Sequence, residues 1–173
     1  LFNNPAGFAG SNHDYLYFAW WDYPLLTMVP VEDPLSNSNW DSDNIGQHPF
    51  VNPAFVLMDQ DDFGEIVWLL DAGNGWIYKI DAERNIEAKI NSAVWGVYNP
   101  QGLALDGEGN FYIADTGSSR ILKSDVSGNL MTEWGSLGKR KNQLNDPKGM
   151  VISGESLFVV DSNNNRVVHF DLN

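Results

Sequence analysis

Short runs in which apolar and polar residues alternate dominate the chain, and turn-forming residues separate them. The run from Phe111 to Asp115, for example, follows a polar turn at 106–110 and precedes a second run at 120–125. Alternation with a period of two places the apolar side chains on one face of a β-strand. No long stretch shows the 3.6-residue period of an amphipathic helix. The pattern therefore predicts an all-β protein.

An Asn-Pro or Asp-Pro pair recurs along the chain at a nearly constant spacing. The pairs that begin at 52, 99 and 146 are 47 residues apart, and Asn4-Pro5 precedes the first of them by 48. After each of the last three pairs come an apolar strand, a polar turn, a second strand that ends on Asp, and a third strand. Fourth strands are predicted at 85–90 and 129–134. A β-rich repeat of this length predicts the four-stranded antiparallel blades of a β-propeller.

We predict one propeller domain or segment over residues 1–173, with about four blades at 1–51, 52–98, 99–145 and 146–173. The last blade is incomplete, because no fourth strand is predicted for it. Three arrangements stay open: the blades are part of a larger propeller, four blades close by themselves, or several chains close one ring. The first is favoured because each blade needs a neighbour on both faces to bury its apolar side chains.

Charge is unevenly distributed in this acidic chain, whose formal net charge is −13. The first 78 residues hold eleven acids and no Lys or Arg, whereas the remaining 95 hold twelve acids and ten bases. The acidic excess argues against a nucleic-acid partner, and no apolar run is long enough for a membrane-spanning helix. The absence of Cys excludes disulfides and thiolate ligands. An acidic, Asn-rich chain that does not begin with Met favours an extracytoplasmic or secreted protein.

The third unit carries the most specific motifs, at residues 99–106, 109–115 and 119–121. These residues resemble the NHL repeat family of β-propellers. The last unit and the connection from Trp134 to Leu144 are similar to that family as well, whereas the second unit has Trp76 where the others have Arg. The resemblance implies a propeller of about six blades that serves chiefly as an interaction platform, an inference by analogy.

Aspartate recurs at the end of the second strand of each unit, and arginine follows it five residues later in two of them. A single Asp/Arg pair could be a catalytic carboxylate with an anion clamp, but a pair that recurs in successive blades favours a structural role. The structural repeat positions are Asp71, Asp115, Arg120, Asp161 and Arg166.

The connections between blades are the predicted recognition elements. The stretches from Trp40 to Phe50 and from Trp134 to Leu144 have the same length and carry opposite charges. The predicted binding residues are Trp40, Asp41, Asp43, Lys139, Arg140 and Lys141. Opposite charges on equivalent loops favour a protein partner or self-association. A glycan partner, stacked on Trp20, Trp21, Trp40 or Trp76, is the alternative.

No catalytic residue, metal ligand or cofactor is expected in this chain. Some propellers of the resembled family are lyases with a metal-binding His directly after the blade Pro, and here that position holds Ala6, Ala54, Gln101 or Lys148. The predicted function is therefore a non-enzymatic platform for a protein or glycan. The alternative is a metal-dependent lyase or lactonase-like enzyme whose catalytic residues lie partly outside this chain or around Asp41, Asp43 and His48.

Calcium is the one cofactor that stays open from the residues. The acids at 41–43 and 59–62 offer clustered oxygens, but Asn52 and Leu70 occupy the twelfth positions where a calcium loop carries its closing carboxylate.

Overall fold

The computed structural model describes residues 5–10, 15–20, 25–30, 38–40, 50–62 and 64–172; before residue 41 it describes the side chains of Ala19, Thr27 and Met28. These residues form β-strands and three single-turn 3-10 helices, at Ser92–Trp95, Thr116–Ser118 and Ser162–Asn164. No helix among them is long and apolar enough to cross a membrane. The strands are β1 (Pro5–Gly10), β2 (Tyr15–Trp20), β3 (Leu25–Pro30), β4 (Ser38–Trp40), β5 (Pro53–Asp61), β6 (Gly64–Asp71), β7 (Trp76–Ile80), β8 (Ile86–Asn91), β9 (Gly102–Leu105), β10 (Phe111–Asp115), β11 (Arg120–Ser124), β12 (Leu130–Trp134), β13 (Pro147–Ser153), β14 (Ser156–Asp161) and β15 (Arg166–Asp171).

Each sheet is an antiparallel meander in which strands that follow each other in sequence pair with each other. Blade A contains β1–β4, blade B contains β5–β8, blade C contains β9–β12, and blade D contains β13–β15. The all-β prediction and the predicted four-stranded antiparallel blades are confirmed. The chain divides into two compact units: residues 1–91 hold blades A and B, and residues 92–173 hold blades C and D.

Blade B differs from the prediction at its first hairpin. The apolar residues 55–58 and the polar residues after them predict a short strand and a turn, but β5 continues to Asp61, which pairs with Gly64 at the start of β6. Gly64 has φ 141, a value that few other residues adopt. The glycine therefore permits a tight reversal, and the polar residues at 59–61 extend the strand.

The apolar core of the unit 92–173 lies between blades C and D. Leu157 and Val159 are completely buried there, and Gly102 of β9 lies so close to the carbonyl of Lys148 in β13 that a Cβ at Gly102 would collide with it. The remaining buried members of this cluster come from both blades: Ala104, Tyr112, Ala114, Ile121, Leu144, Met150 and Phe170. In the unit 1–91, the corresponding cluster consists of Ala19, Phe50, Val56, Val67, Leu69, Tyr78 and Ile80.

The opposite face of blade D is apolar but exposed. Val160 and Val167 pair across β14 and β15 on this face, and they are 44% and 63% exposed. Their counterparts in the repeat, Ala114 and Ile121 of blade C, are 0% exposed because blade D covers them. The face of blade D therefore has the composition of a covered blade face, whereas no described residue covers it.

Two neighbouring valines of β14 test this difference with the same chemical change. We expect Val159→Ala to lower the free energy of unfolding by about 2 kcal/mol, because it leaves a cavity in the core between blades C and D. Val160→Ala should change the free energy of unfolding by about 0.5 kcal/mol or less, because the side chain is already solvated. Urea unfolding of both variants measures the two costs. Equal costs would mean that the exposed face of blade D is covered in solution.

Candidate functional site

A buried carboxylate at the end of the second strand holds the preceding connection in each of blades B, C and D. Asp71, Asp115 and Asp161 are all 0% exposed. In blade C, the backbone N–H of Tyr98 donates to Asp115 Oδ1 at 2.8 Å; in blade D, that of Asn145 donates to Asp161 Oδ1 at 2.6 Å. A hydrogen bond to a charged acceptor contributes about 1.5–3 kcal/mol. Each carboxylate therefore attaches the preceding connection to its own blade.

The arginine five residues after the Asp completes this arrangement in blades C and D. Arg120 Nε donates to Asp115 Oδ2 at 2.8 Å, and Arg166 Nε donates to Asp161 Oδ2 at 2.7 Å. Arg120 Nη2 donates to the carbonyl oxygens of Trp95 and Gly96 in the preceding connection, and Arg120 Nη1 donates to the carboxylate of Glu133. Both terminal nitrogens of Arg166 donate to carbonyl oxygens of the connection before blade D. The arginine thus neutralises the carboxylate of its own blade and also satisfies acceptors in the loop before it.

Blade B has Trp76 in place of the arginine, and its aspartate compensates with backbone donors. Asp71 accepts hydrogen bonds from the N–H groups of Val51, Asn52 and Gly73 at 2.7–2.9 Å. Three backbone bonds satisfy the buried charge without a guanidinium. Blade B therefore keeps the buried carboxylate as the hydrogen-bond acceptor, but backbone N–H groups replace the guanidinium as donors.

The connection before blade D contains a rigid loop, here called the basic loop, which comprises residues 137–144. Leu137 and Leu144 close it through a parallel bridge, and Leu144 is completely buried while Leu137 is 67% exposed. At the tip, Gln143 N–H donates to the carbonyl of Arg140, and Gln143 Oε1 accepts from the N–H of Arg140. The loop therefore has its own internal hydrogen bonds and one apolar anchor in the core.

Arg166 attaches the basic loop to blade D. Its guanidinium donates to the carbonyls of Lys139 at 2.9 Å, Gln143 at 2.7 Å and Arg140 at 3.3 Å. Asn164 Nδ2 donates to the carbonyl of Gly138 at 2.8 Å. Hydrogen bonds to four carbonyl groups thereby hold the backbone of the loop. The side chains of its cations take no part in this attachment.

Lys139, Arg140 and Lys141 are exposed, and none of their side chains forms an ion pair with another described residue. The structure brings these three predicted binding residues together on one fixed loop. They are three adjacent cations in a chain of net charge −13. Because salt screens the electrostatic field of these cations at long range, the field acts on a partner that touches the loop.

The other predicted binding residues lie near the end of blade A. Trp40 is the last residue of β4 and pairs with Leu26, and Asp41 and Asp43 lie outside the described residues. Trp76, one of the aromatic residues considered for a glycan, is half-buried and has the Lys89 ammonium 4.9 Å from its ring centroid. The glycan prediction therefore stays a prediction.

A second group of titratable side chains lies in blade C, around the buried Tyr112. Its hydroxyl donates to Asp106 Oδ2 at 3.2 Å, and Lys123 Nζ lies 3.4 Å from the same oxygen. Burial raises the pKa of Tyr112, and the hydrogen bond to Tyr112 raises that of Lys123. A phenol that serves as a base and an amine that serves as a nucleophile both need the opposite shift. The contacts of the group join Tyr112 of β10 and Lys123 of β11 to Asp106 in the turn between β9 and β10.

The turn acids of the described residues are similarly engaged. Asp106 accepts hydrogen bonds from the backbone N–H and the side-chain amide of Asn110, which lower its pKa although burial opposes this shift. Asp81 with Asn85, and Asp125 with Asn129, form the same turn. No group of three His, Asp or Glu side chains with metal-binding geometry occurs among the described residues. Of the calcium candidates, Asp59 is exposed and accepts from the N–H of Gln60, while 41–46 lies outside the described residues.

Sequence reasoning missed the residues that hold the basic loop. The sequence analysis assigned no role to Asn164 or Gln143, and it assigned Arg166 to the repeat without its three carbonyl contacts. A signal was present in the repeat itself, because Arg120 makes the same kind of contact to its own preceding connection. The carbonyl partners could not be read from the sequence, since every residue carries one.

The comparisons with known proteins confirm the resemblance and the fold. The sequence model of the NHL repeat matches residues 97–123. A streptogramin B lyase structure is similar over 98% of this chain and 55% of its own, at 13% identity and a TM-score of 0.69. Virginiamycin B lyase from Staphylococcus aureus is similar over 99% of this chain and 56% of its own, at 11% identity and a TM-score of 0.64.

A nidogen/laminin complex contains a third similar chain, with 16% identity, a TM-score of 0.58, and coverage of 97% of this chain and 76% of that one. No curated protein matches the chain by sequence. Similarity at these identities shows the fold, which is a β-propeller. The chain spans 55% and 56% of the length of the two lyases.

Acid should weaken the arrangement around Asp161, and Asp161→Asn tests this. Burial alone would raise the pKa of Asp161, but the hydrogen bonds from Asn145, Asn164 and Arg166 outweigh it and lower the pKa. A lowered pKa contributes stability above the ordinary value of about 4, and this contribution is lost as the pH falls through the folded value. We expect the variant to have a lower Tm at neutral pH, with a smaller loss of Tm on acidification than the parent.

Circular dichroism melts between about pH 2 and pH 7 measure both effects. Glu155→Gln is the control, since it removes a carboxylate from an exposed position of the same unit. A parallel shift of the whole pH profile in Asp161→Asn would contradict the assignment.

Proposed function

We propose that this β-propeller, whose residues 97–123 are an NHL repeat, is a non-enzymatic interaction platform that binds an acidic protein segment through the basic loop. The observation that carries the proposal is the combination of a fixed loop backbone with three exposed cations that have no ion-pair partner among the described residues. Fixing the backbone in advance lowers the entropy lost on binding. The sheets supply rigidity and the loops supply recognition.

A protein partner fits this surface better than a reaction does. The titratable group around Tyr112 has its pKa values shifted away from those of a base or nucleophile, and the buried aspartates are saturated with donors. The similar chain in the nidogen/laminin complex belongs to a protein assembly, whereas the streptogramin B lyase and the virginiamycin B lyase named above are enzymes. An extracytoplasmic location and the absence of a cofactor stay predictions.

Neutralising the basic loop is the direct test. We expect Lys139→Gln, Arg140→Gln and Lys141→Gln together to weaken binding of a fluorescein-labelled acidic octapeptide of Glu and Asp by about tenfold or more, because three ion pairs are lost. The Tm should stay nearly unchanged, since these side chains make no contact that holds the loop. Fluorescence anisotropy at two salt concentrations measures the affinity, which should fall as salt rises.

The matched control for that experiment changes the net charge by the same amount elsewhere. Val94→Glu, Val126→Glu and Ser127→Glu lie at exposed positions of the same unit, and their three added negative charges lower the net charge by three, as the loss of the three cations does. Equal losses in both variants would show that overall charge, and not the basic loop, determines binding. The acidic first 78 residues of a second copy are an alternative ligand for the basic loop. Sedimentation of the parent chain detects such self-association and so distinguishes a second copy from an external partner.

A second variant tests whether the fixed backbone matters. Arg166→Lys keeps the charge but cannot reach the carbonyls of Lys139 and Gln143 together with Asp161, so the loop should loosen and the affinity should fall several-fold. Arg120→Lys makes the same change in blade C and leaves the basic loop attached. Both variants should lose similar amounts of Tm, and only Arg166→Lys should lose affinity. A loss of affinity in both would mean that general destabilisation, and not loop attachment, is responsible.

A further inference from the structure

One residue in each of blades B, C and D has a fixed backbone and a side chain that reaches solvent. This residue is Val51 in blade B, Tyr98 in blade C and Asn145 in blade D, and the three are 47 residues apart. Its N–H donates to the buried aspartate of its blade, at 2.7, 2.8 and 2.6 Å respectively. The repeat therefore fixes the same backbone position three times, while the side chain that it presents is aliphatic, aromatic or an amide.

The aromatic member, Tyr98, is 69% exposed and lies against a glycine. Its carbonyl accepts a hydrogen bond from the N–H of Gly117 at 2.9 Å. A Cβ at Gly117 would collide with Cδ1 of the Tyr98 ring. The missing side chain at residue 117 therefore makes room for the ring, and most of the ring surface stays open to solvent.

The turn that carries Gly117 connects Tyr98 to the basic loop. Residues 117 and 118 are exposed, and the carbonyl oxygen of Ser119 lies 3.1 Å from the position that a Cβ on Gly135 would take. Leu137, two residues after Gly135, opens the basic loop and is exposed. Because two residues of chain span at most about 7 Å, Tyr98 lies within about 20 Å of Leu137. About six residues of an extended peptide cover that distance.

The two ends of this surface recognise different chemical groups. The cations of the basic loop bind carboxylates through charge-assisted hydrogen bonds. A tyrosine ring on a fixed backbone offers apolar contact area with little loss of side-chain entropy, and tyrosines of this kind are enriched among the residues that dominate binding at protein interfaces. Since both ends belong to the unit 92–173 and exposed residues lie between them, one extended chain can contact both.

We propose that Tyr98 binds an apolar side chain of the acidic segment that the basic loop recognises, and that this side chain lies about six residues from the carboxylates of the segment. The proposal rests on the proposed function and adds the chemical class of the ligand, which is an acidic segment with a neighbouring apolar residue. Any acidic segment satisfies the cations, whereas only one with an apolar residue at this spacing also covers Tyr98. The ring therefore supplies selectivity that charge alone does not.

Two pairs of fluorescein-labelled peptides test the proposal. One pair extends the acidic octapeptide at its C-terminus by five threonines and a final Phe or Ala, and the other pair carries the same extension at its N-terminus. We expect the Phe peptide of one pair to bind about fivefold more tightly than its Ala counterpart, because aromatic rings pack favourably on each other. This ratio should persist when added salt weakens the binding of all four peptides, since salt screens the ion pairs and not the apolar contact.

Substitution of the ring identifies the site of the gain. We expect Tyr98→Ala to bind the Phe and Ala peptides equally, with the affinity for the octapeptide and the Tm nearly unchanged, because the N–H that binds Asp115 is retained. Val94→Ala is the control, since it shortens a side chain that is 70% exposed in the same connection. This variant should keep the fivefold preference.

A second variant keeps the ring and changes its position. Gly117→Ala places a Cβ where the ring lies, so the ring must move and the preference for Phe should fall. Gly107→Ala adds the same methyl group where no atom lies within 4 Å, and it should keep the preference. Neither glycine has left-handed backbone, so alanine introduces no backbone strain at either position.

The results separate this proposal from the proposed function. Equal binding of Phe and Ala peptides in both pairs, or a preference that survives Tyr98→Ala, would overturn the role of Tyr98 and leave the basic loop as the site of acidic segments. Octapeptide binding that survives in the triple Gln variant would instead contradict the role of the basic loop.

Discussion

In blades B, C and D, the connection that precedes each blade depends on the hydrogen bonds of a buried aspartate at the end of the second strand. A carboxylate without solvent is stable only when hydrogen bonds or an opposite charge replace the lost hydration. Asp115 and Asp161 obtain these from the connection that precedes them and from an arginine of their own blade. The hydrogen bonds that each buried carboxylate requires therefore determine where the connection lies. A loop of polar residues, which has little apolar surface of its own to bury, is fixed in this way.

This constraint also explains why the repeat tolerates substitution at one position and not at another. Trp76 replaces the arginine in blade B, and Asp71 accepts three backbone N–H groups where Asp115 and Asp161 each accept a guanidinium. The acceptor is kept while the donors change, because backbone amides are present in any sequence that the loop adopts. The backbone conformation restricts residue choice at two further positions of the repeat. Asn99 and Asp146, which precede the blade prolines, have φ 50 and 61, a region that Asn and Asp enter at low cost.

The fold was predictable because its signals are local and repeated. Alternation identified the strands, the fixed spacing of Asn-Pro and Asp-Pro identified the blades, and Asp followed five residues later by Arg identified a structural pair. The attachment of the basic loop was not predictable, because Arg166 binds backbone carbonyls that no side-chain pattern marks. The end of β5 was also missed, since Asp59 and Asp61 have turn propensity but pair with β6 once the hairpin forms. Long-range pairing decided that case against local preference.

The chemistry of blade D follows from comparing it with blade C position by position. Ala114 and Ile121 are covered by the next blade, while Val160 and Val167 at the same positions are exposed. Leu122 has Glu133 opposite it, while Val168 has no described strand opposite it. Selection for solubility alone would place charged residues at exposed positions of an edge strand and a sheet face. Blade D instead keeps the aliphatic pattern of a covered blade at both places. The residue types at these positions of blade D therefore match those at the covered positions of blade C, although the exposure of the side chains differs.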